Sequence, residues 1–142
     1  VDLFARSGTG DFSIAQVAEL WSMSSASMAD LARRSGAVYI HLLQPNQWDR
    51  RYGLYEPIDP KHSYNWVIEW VNLGYKAFRE RIPRLRNAGV DVLDTSGMFA
   101  GQPWRKNYSD DCCHYTAQGY NALHLRMIRA ISDQLAGRTS AK

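Results

Sequence analysis

Apolar side chains in the first third of the chain recur at alternating spacings of three and four residues, which is the period of one face of an α-helix. That face carries Ile14, Val17, Trp21, Met28 and Leu31, with the small Ser24 in the same register. The pattern predicts a helix over residues 13–35 with this face buried and Ser13 as its cap. Arg33 and Arg34 suit the negative end of the helix dipole, and Gly36 provides a left-handed stop.

Two short runs rich in β-branched residues predict buried strands, one over 37–43 and one over 90–93. Pro45 prevents the first from continuing as a central strand. The segment 44–61 contains three prolines and shows no periodicity, so we expect a long surface connection.

Two further helices follow from the pattern. The first runs over 63–87, and Pro83 should kink or break it. The second follows Thr116, a capping residue, with Tyr115 and Tyr120 at the positions of a hydrophobic staple. Its predicted buried stripe consists of Tyr120, Leu123, Met127, Ile128, Ile131 and Leu135. Gly137 should close it, leaving 138–142 as a tail, and residues 1–12 form an irregular start.

The order of elements is helix, strand, long loop, helix, strand, loop and helix, which is half of a doubly wound α/β/α domain. Two parallel strands alone would leave an unpaired sheet edge. We therefore expect residues 1–142 to be the C-terminal portion of a single domain, whose upstream half completes the sheet. The alternative is a complete small protein in which another chain covers that edge.

Composition is typical of a soluble globular domain, with 45% hydrophobic and 22% charged residues. Seventeen basic and fourteen acidic residues leave a net charge of +3, which is too small to indicate nucleic-acid binding. No apolar run approaches the roughly 20 residues of a transmembrane helix. Localisation stays open, because any signal peptide would precede Val1.

The segment Asp111-Cys112-Cys113-His114 sets a carboxylate three residues before an imidazole, just ahead of a capped helix. A carboxylate that accepts from Nδ1 fixes the tautomer and leaves Nε2 free to take a proton from a serine hydroxyl. The pattern indicates a general base, with Asp111 and His114 as candidate catalytic residues. Asp110 is a second carboxylate in the same loop, to which sequence alone assigns no catalytic role. Adjacent cysteines rarely chelate one zinc ion, so no metal is expected.

Three segments carry a family resemblance. Residues 108–121, Tyr-Ser-Asp-Asp-Cys-Cys-His-Tyr-Thr-Ala-Gln-Gly-Tyr-Asn, resemble the block that completes the triad of SGNH/GDSL-type serine hydrolases. Residues 39–47, Tyr-Ile-His-Leu-Leu-Gln-Pro-Asn-Gln, and 94–99, Asp-Thr-Ser-Gly-Met-Phe, resemble two earlier segments of that family, in the same order. The resemblance covers about residues 17–135, and its last block is the most specific.

The resemblance implies a three-layer flavodoxin-like sandwich that hydrolyses acyl or acetyl esters of lipids or carbohydrates without a cofactor. The family spacing selects Asp111 as the acidic member of the triad. The family nucleophile lies in a Gly-Asp-Ser block after the first strand, and neither that block nor its oxyanion-hole partners are recognisable here. Gly10-Asp11-Phe12-Ser13 has an inserted Phe12 and opens a helix. We therefore expect the serine upstream, and this chain alone to be inactive.

Substrate contacts are predicted after the first strand, because ligands of open parallel sheets bind beyond the carboxyl ends of strands. Gln44, Asn46 and Trp48 lie there. Gln44 and Asn46 would line the cleft or merely form a turn. Trp48, Tyr52 and Tyr55 would form an apolar platform or anchor the loop. A second functional hypothesis is an inactive binding module that uses Gln44, Asn46 and Trp48 to contact a glycan or an acyl group.

Overall fold

The computed structural model describes residues 13–49, 51, 65–110 and 113–139. Within them the elements are α1 (Ile14–Arg34), β1 (Ile40–Leu43), α2 (Asn65–Asn87), β2 (Asp91–Asp94), α3 (Trp104–Asn107) and α4 (Ala117–Thr139). The predictions for residues 1–12 and 140–142, for Tyr52 and Tyr55, and for Asp111 lie outside the described residues.

Helix α1 begins as its sequence predicts. The Ser13 hydroxyl accepts from the amide of Gln16 at 3.3 Å, and the Gln16 side chain accepts from the amide of Ser13 at 2.8 Å, which completes a capping box. Gly36 follows the helix with a φ of 72°. Both the cap and the left-handed stop are confirmed.

The predicted buried face of α1 is right only in part: Trp21 packs against the core, but the C-terminal half of the face does not. The side chains that the helix buries are small, namely those of Ala18, Ser22, Ser25 and Ala29. Met28 and Leu31, which the pattern assigned to the core, are 54% and 66% exposed. Ala29 packs in the same core as Ile82 and Leu85 of α2, which leaves Met28 and Leu31 on the outer side of α1. Periodicity alone does not distinguish these two faces.

The described strands form a two-stranded parallel sheet, with Ile40 opposite Asp91 and Leu43 opposite Asp94. The fold is thus a mixture of helix and strand with a small parallel sheet, which is loosely compatible with the predicted α/β class. Residues 37–39, predicted as strand, precede β1, and β2 is displaced by one residue from its predicted bounds.

The two faces of β1 contact different clusters. Leu43 belongs to a core with Ala29 of α1, Leu85 of α2 and Val92 of β2. Its neighbour Leu42 packs instead against a second core. The second core contains Phe99, Trp104, Tyr108, Tyr115 and Leu123, with Met98, Ala122 and Met127 at its margin. Helices therefore lie against both faces of the strand, α1 and α2 on one and α4 on the other.

Helix α2 continues through Pro83, so of the two predicted effects the break is absent, and the kink stays a prediction. Pro83 removes one backbone hydrogen bond, but Ile82 and Leu85 beside it are 5% and 2% exposed. Their burial fixes both halves of the helix against the same core. Arg79 of α2 is largely buried, with its side chain 12% exposed.

Helix α4 confirms its predicted start. The Thr116 hydroxyl accepts from the amide of Gly119 at 3.1 Å, and the rings of Tyr115 and Tyr120 meet edge to face at 5.2 Å. The helix runs two residues beyond its predicted end at Gly137. Four residues of the predicted buried stripe are 43% exposed or more, namely Tyr120, Ile128, Ile131 and Leu135. None of the helices in the described part of the chain combines the length and apolarity needed to cross a bilayer.

Candidate functional site

The candidate site is the loop between Tyr108 and Tyr115, which carries His114 and is called the His114 loop. It extends from a cluster of aromatic side chains. An isolated antiparallel bridge pairs Tyr108 with Tyr115, and the amide of Ser109 donates to the carbonyl of His114 at 2.8 Å. The rings of Tyr108 and Tyr115 lie 5.2 Å apart, and both contact Phe99. The loop therefore leaves and rejoins the core at neighbouring points, which fixes the direction in which His114 extends.

Tyr108 and Tyr115, the two tyrosines at the ends of the loop, are neutral. Desolvation by burial raises the pKa of Tyr108 and of Tyr115 above the usual value for a phenol. A neutral phenol can donate, and the Tyr115 hydroxyl donates to the carbonyl of Pro45. This hydrogen bond joins the His114 loop to the turn that follows β1.

Asp110 binds both the backbone of the loop and the imidazole of His114. Its Oδ1 accepts from the amides of Cys113 and His114 at 3.0 Å and 3.3 Å. Its Oδ2 contacts Nδ1 of His114. Because a carboxylate can only accept, the proton of this bond belongs to Nδ1. Nε2 is then the unprotonated nitrogen of the neutral ring, on a side chain that is 68% exposed.

The carboxylate observed on the imidazole is not the one that sequence reasoning selected. Asp111, the predicted triad acid, lies outside the described residues, so its part in the site stays a prediction. The family spacing favours Asp111, because it places the acid three residues before the histidine, whereas Asp110 lies four residues before it. A local signal does point to Asp110. An aspartate that accepts from amides three and four residues ahead forms a closed turn, and its second oxygen then faces the side chain at that fourth position.

The predicted substrate residues lie in a turn over residues 44–49, directly after β1. Oδ1 of Asn46 accepts from the amide of Trp48 at 3.0 Å, which is an Asx-type turn. The Trp48 side chain is 3% exposed. These geometries favour a turn role for Asn46 and an anchoring role for Trp48. The Gln44 side chain is exposed, while its carbonyl accepts from Tyr75 at 2.8 Å. Substrate contact by the three residues stays a prediction.

Sequence reasoning missed two buried polar residues of the same turn. Gln47 is 3% exposed, and its Nε2 donates to the backbone carbonyl of Asp110 at 3.0 Å. Asp49 is 1% exposed, and its carboxylate pairs with both terminal nitrogens of Arg79 on α2. Polar residues in a loop without periodicity give no sequence signal of burial. Their partners lie 63 and 30 residues away, so only the tertiary structure identifies them.

The turn and the loop thus form one hydrogen-bonded unit at the carboxyl end of β1. In such sheets this is the end at which ligands bind. Comparisons of the chain with protein-family models, with curated proteins and with solved structures found no match.

Proposed function

We propose that this chain supplies the general base of an SGNH/GDSL-type serine hydrolase that cleaves carboxylic esters. The observation that carries the proposal is the contact between a carboxylate and Nδ1 of an exposed histidine. That arrangement sets the tautomer that a base needs and leaves Nε2 open to a substrate or a nucleophile. The three sequence segments that resemble the family support the same assignment. In this proposal the orienting carboxylate is Asp110.

The proposed reaction transfers one proton at a time. Nε2 of His114 takes the proton of a serine hydroxyl as the serine oxygen attacks the ester carbonyl carbon. The same nitrogen returns that proton to the departing alcohol, and an acyl-enzyme remains. Water then repeats the cycle and releases the acid. The substrate class is an acyl or acetyl ester of a lipid or carbohydrate, and the cycle requires no cofactor.

The serine belongs, in this proposal, to the upstream half of the same domain. Among the described residues, the hydrogen bonds of the His114 ring are confined to Asp110. Helices lie against both faces of β1, an arrangement compatible with a larger three-layer α/β/α sandwich. Large apolar residues on α1 and α4, such as Leu31 and Ile128, are more than half exposed. Further strands and helices of that sandwich would cover them.

The test is ester hydrolysis by the natural full-length protein and by its His114→Ala variant, assayed with short-chain p-nitrophenyl esters. Removal of the base should lower kcat by at least about 10³-fold. His124→Ala is the matched control, because His124 is an exposed histidine on α4. The control should retain full turnover. Equal kcat values for His114→Ala and the unmodified protein would exclude the assignment.

The non-catalytic hypothesis of a glycan- or acyl-binding module has less support. It relies on contacts from Gln44, Asn46 and Trp48, but the Trp48 ring is buried and the Asn46 side chain closes its own turn. Binding of an ester ligand without its hydrolysis by the full-length protein would favour that hypothesis over ours.

A further inference from the structure

The buried amide of Gln47 lies at the junction between the turn and the His114 loop. Its Nε2 donates to the carbonyl of Asp110, the residue whose side chain contacts His114. The bond therefore acts on the backbone of Asp110, while both carboxylate oxygens remain available to the loop amides and the imidazole.

The turn that carries Gln47 is itself fixed to α2. Tyr75 donates to the carbonyl of Gln44 at 2.8 Å, and Asn72 donates to the carbonyl of Trp48 at 2.8 Å. Asp49 pairs with Arg79. Three residues of one helix thus hold the turn on both sides of Gln47. A side chain mounted on such a support can determine where Asp110 lies, because the support does not move with the exposed loop.

The chemistry of Gln47 is unfavourable for a residue that only fills space. Its Oε1 is buried and has no hydrogen-bond partner among the described residues. A buried acceptor without a partner is destabilising, and an apolar side chain of similar volume would avoid that cost. The donor on the same amide is the part that makes a specific contact.

We propose that Gln47 is a positioning residue, which holds Asp110 where its carboxylate fixes the tautomer of His114. The proposal rests on the proposed function, because its importance for turnover depends on His114 being the base. Its effect on the imidazole itself does not depend on ester hydrolysis and is measured separately.

The experiment compares the full-length protein with its Gln47→Met variant after ¹⁵N labelling of histidine. At alkaline pH the Nδ1 resonance of His114 should be that of a protonated nitrogen and the Nε2 resonance that of an unprotonated one. In Gln47→Met the two resonances should move towards each other, because the tautomers then interconvert. Gln118→Met makes the same chemical change at an exposed position of α4 and should leave both resonances unchanged. Unchanged resonances in Gln47→Met would overturn the proposal.

Turnover of the full-length protein provides the second measurement. Gln47→Met should lower kcat roughly 10- to 100-fold and leave KM unchanged, because a misaligned base slows the chemical step without altering substrate contacts. If Gln47→Met lowers both kcat and the melting temperature but leaves the imidazole resonances unchanged, Gln47 has a structural role only. If the resonances respond to Gln47→Met while His114→Ala retains activity, the positioning role holds and the proposed function fails.

Folding of the variants is checked by circular dichroism. Should Gln47→Met not fold, Gln47→Asn is the replacement, because it keeps an amide but is one methylene too short to reach the carbonyl of Asp110. The same movement of the resonances is expected. Failure of both variants to fold would contradict the proposal, since Gln47 would then be required for the fold itself.

Discussion

Two histidines of this chain are engaged through the same ring nitrogen in different regions. Nδ1 of His41, on β1, lies 3.1 Å from the hydroxyl of Tyr39, and its ring packs edge to face on Trp21 at 4.5 Å. Nδ1 of His114, in the exposed loop, contacts the carboxylate of Asp110. In both sites Nδ1 is the hydrogen-bonded nitrogen. The sites differ in the partner of that nitrogen and in the exposure of the ring to solvent.

The partner determines what each ring can do. A hydroxyl both donates and accepts, so Tyr39 does not dictate the tautomer of His41, whereas a carboxylate only accepts and dictates that of His114. Burial also lowers the pKa of His41, which favours the neutral form of that ring. A histidine thus becomes a candidate base through its neighbour and its exposure. Its position in a strand or loop is secondary.

The largest expected effect separates the two adjacent aspartates of the His114 loop. Asp110→Asn should lower kcat of the full-length protein by about 10⁴-fold, because an amide can donate to Nδ1 and so favour the wrong tautomer. Asp111→Asn should cause a much smaller loss. Both are measured as kcat for ester hydrolysis. The opposite ranking would restore Asp111 as the triad acid and leave Asp110 as a residue that shapes the loop.

The sequence predicts the helices better than their buried faces. Ser13, Thr116 and Gly36 carry local signals, a cap or a left-handed stop, that act within a few residues. The burial of Ala29 in place of Leu31 depends on which side of α1 meets α2. That choice is made by tertiary packing, and the apolar residues on both sides of the helix make the pattern ambiguous.

The sequence predicts only the part of the site that depends on local signals. The loop and its histidine follow from a local motif. The contact of Gln47 with Asp110 and that of Asp49 with Arg79 join segments far apart in the chain. For Trp48 the sequence leaves two roles open, because an aromatic residue in a polar loop suits either a ligand platform or an anchor. Burial alone distinguishes the two.

The second prediction concerns the turn that links β1, with its His41, to the loop of His114. Asp49→Asn removes the buried charge that faces Arg79, and it should lower the free energy of unfolding by about 3–5 kcal/mol. Chemical denaturation measures the loss. Asp30→Asn is the control, because Asp30 pairs with arginines on the exposed surface of α1, where such pairs contribute about 0.5 kcal/mol. Similar losses in the two variants would show that the Asp49 pair does not hold the turn.

The third prediction tests only the contact between α3 and α4, the two helices that flank the His114 loop. A Cβ on Gly119 would lie 2.3 Å from the carbonyl oxygen of Asn107, so Gly119→Ala should force α4 away from α3 at a cost of about 1–3 kcal/mol. The environment of His41 should be unaffected, as its NMR resonances would show. Gly137→Ala, in the same helix with nothing near its Cβ, should stabilise by up to about 1 kcal/mol. A neutral Gly119→Ala would mean that the two helices can separate freely.

The smallest expected effect belongs to His41 and appears as a dependence of stability on pH. Because burial holds its folded pKa below the ordinary histidine value of 6.5, the unfolded chain binds the proton more tightly. The contribution of His41 is therefore fully present above pH 6.5 and is lost as pH falls towards the folded pKa, with a slope of at most about 1.4 kcal/mol per pH unit. Denaturation between pH 8 and pH 5 should show that slope, reduced in His41→Leu and retained in His124→Gln. Equal slopes in the unmodified protein and His41→Leu would mean that His41 takes up a proton as readily in the folded protein as in the unfolded chain. The contrast with His114 would then rest on the partner of Nδ1 alone.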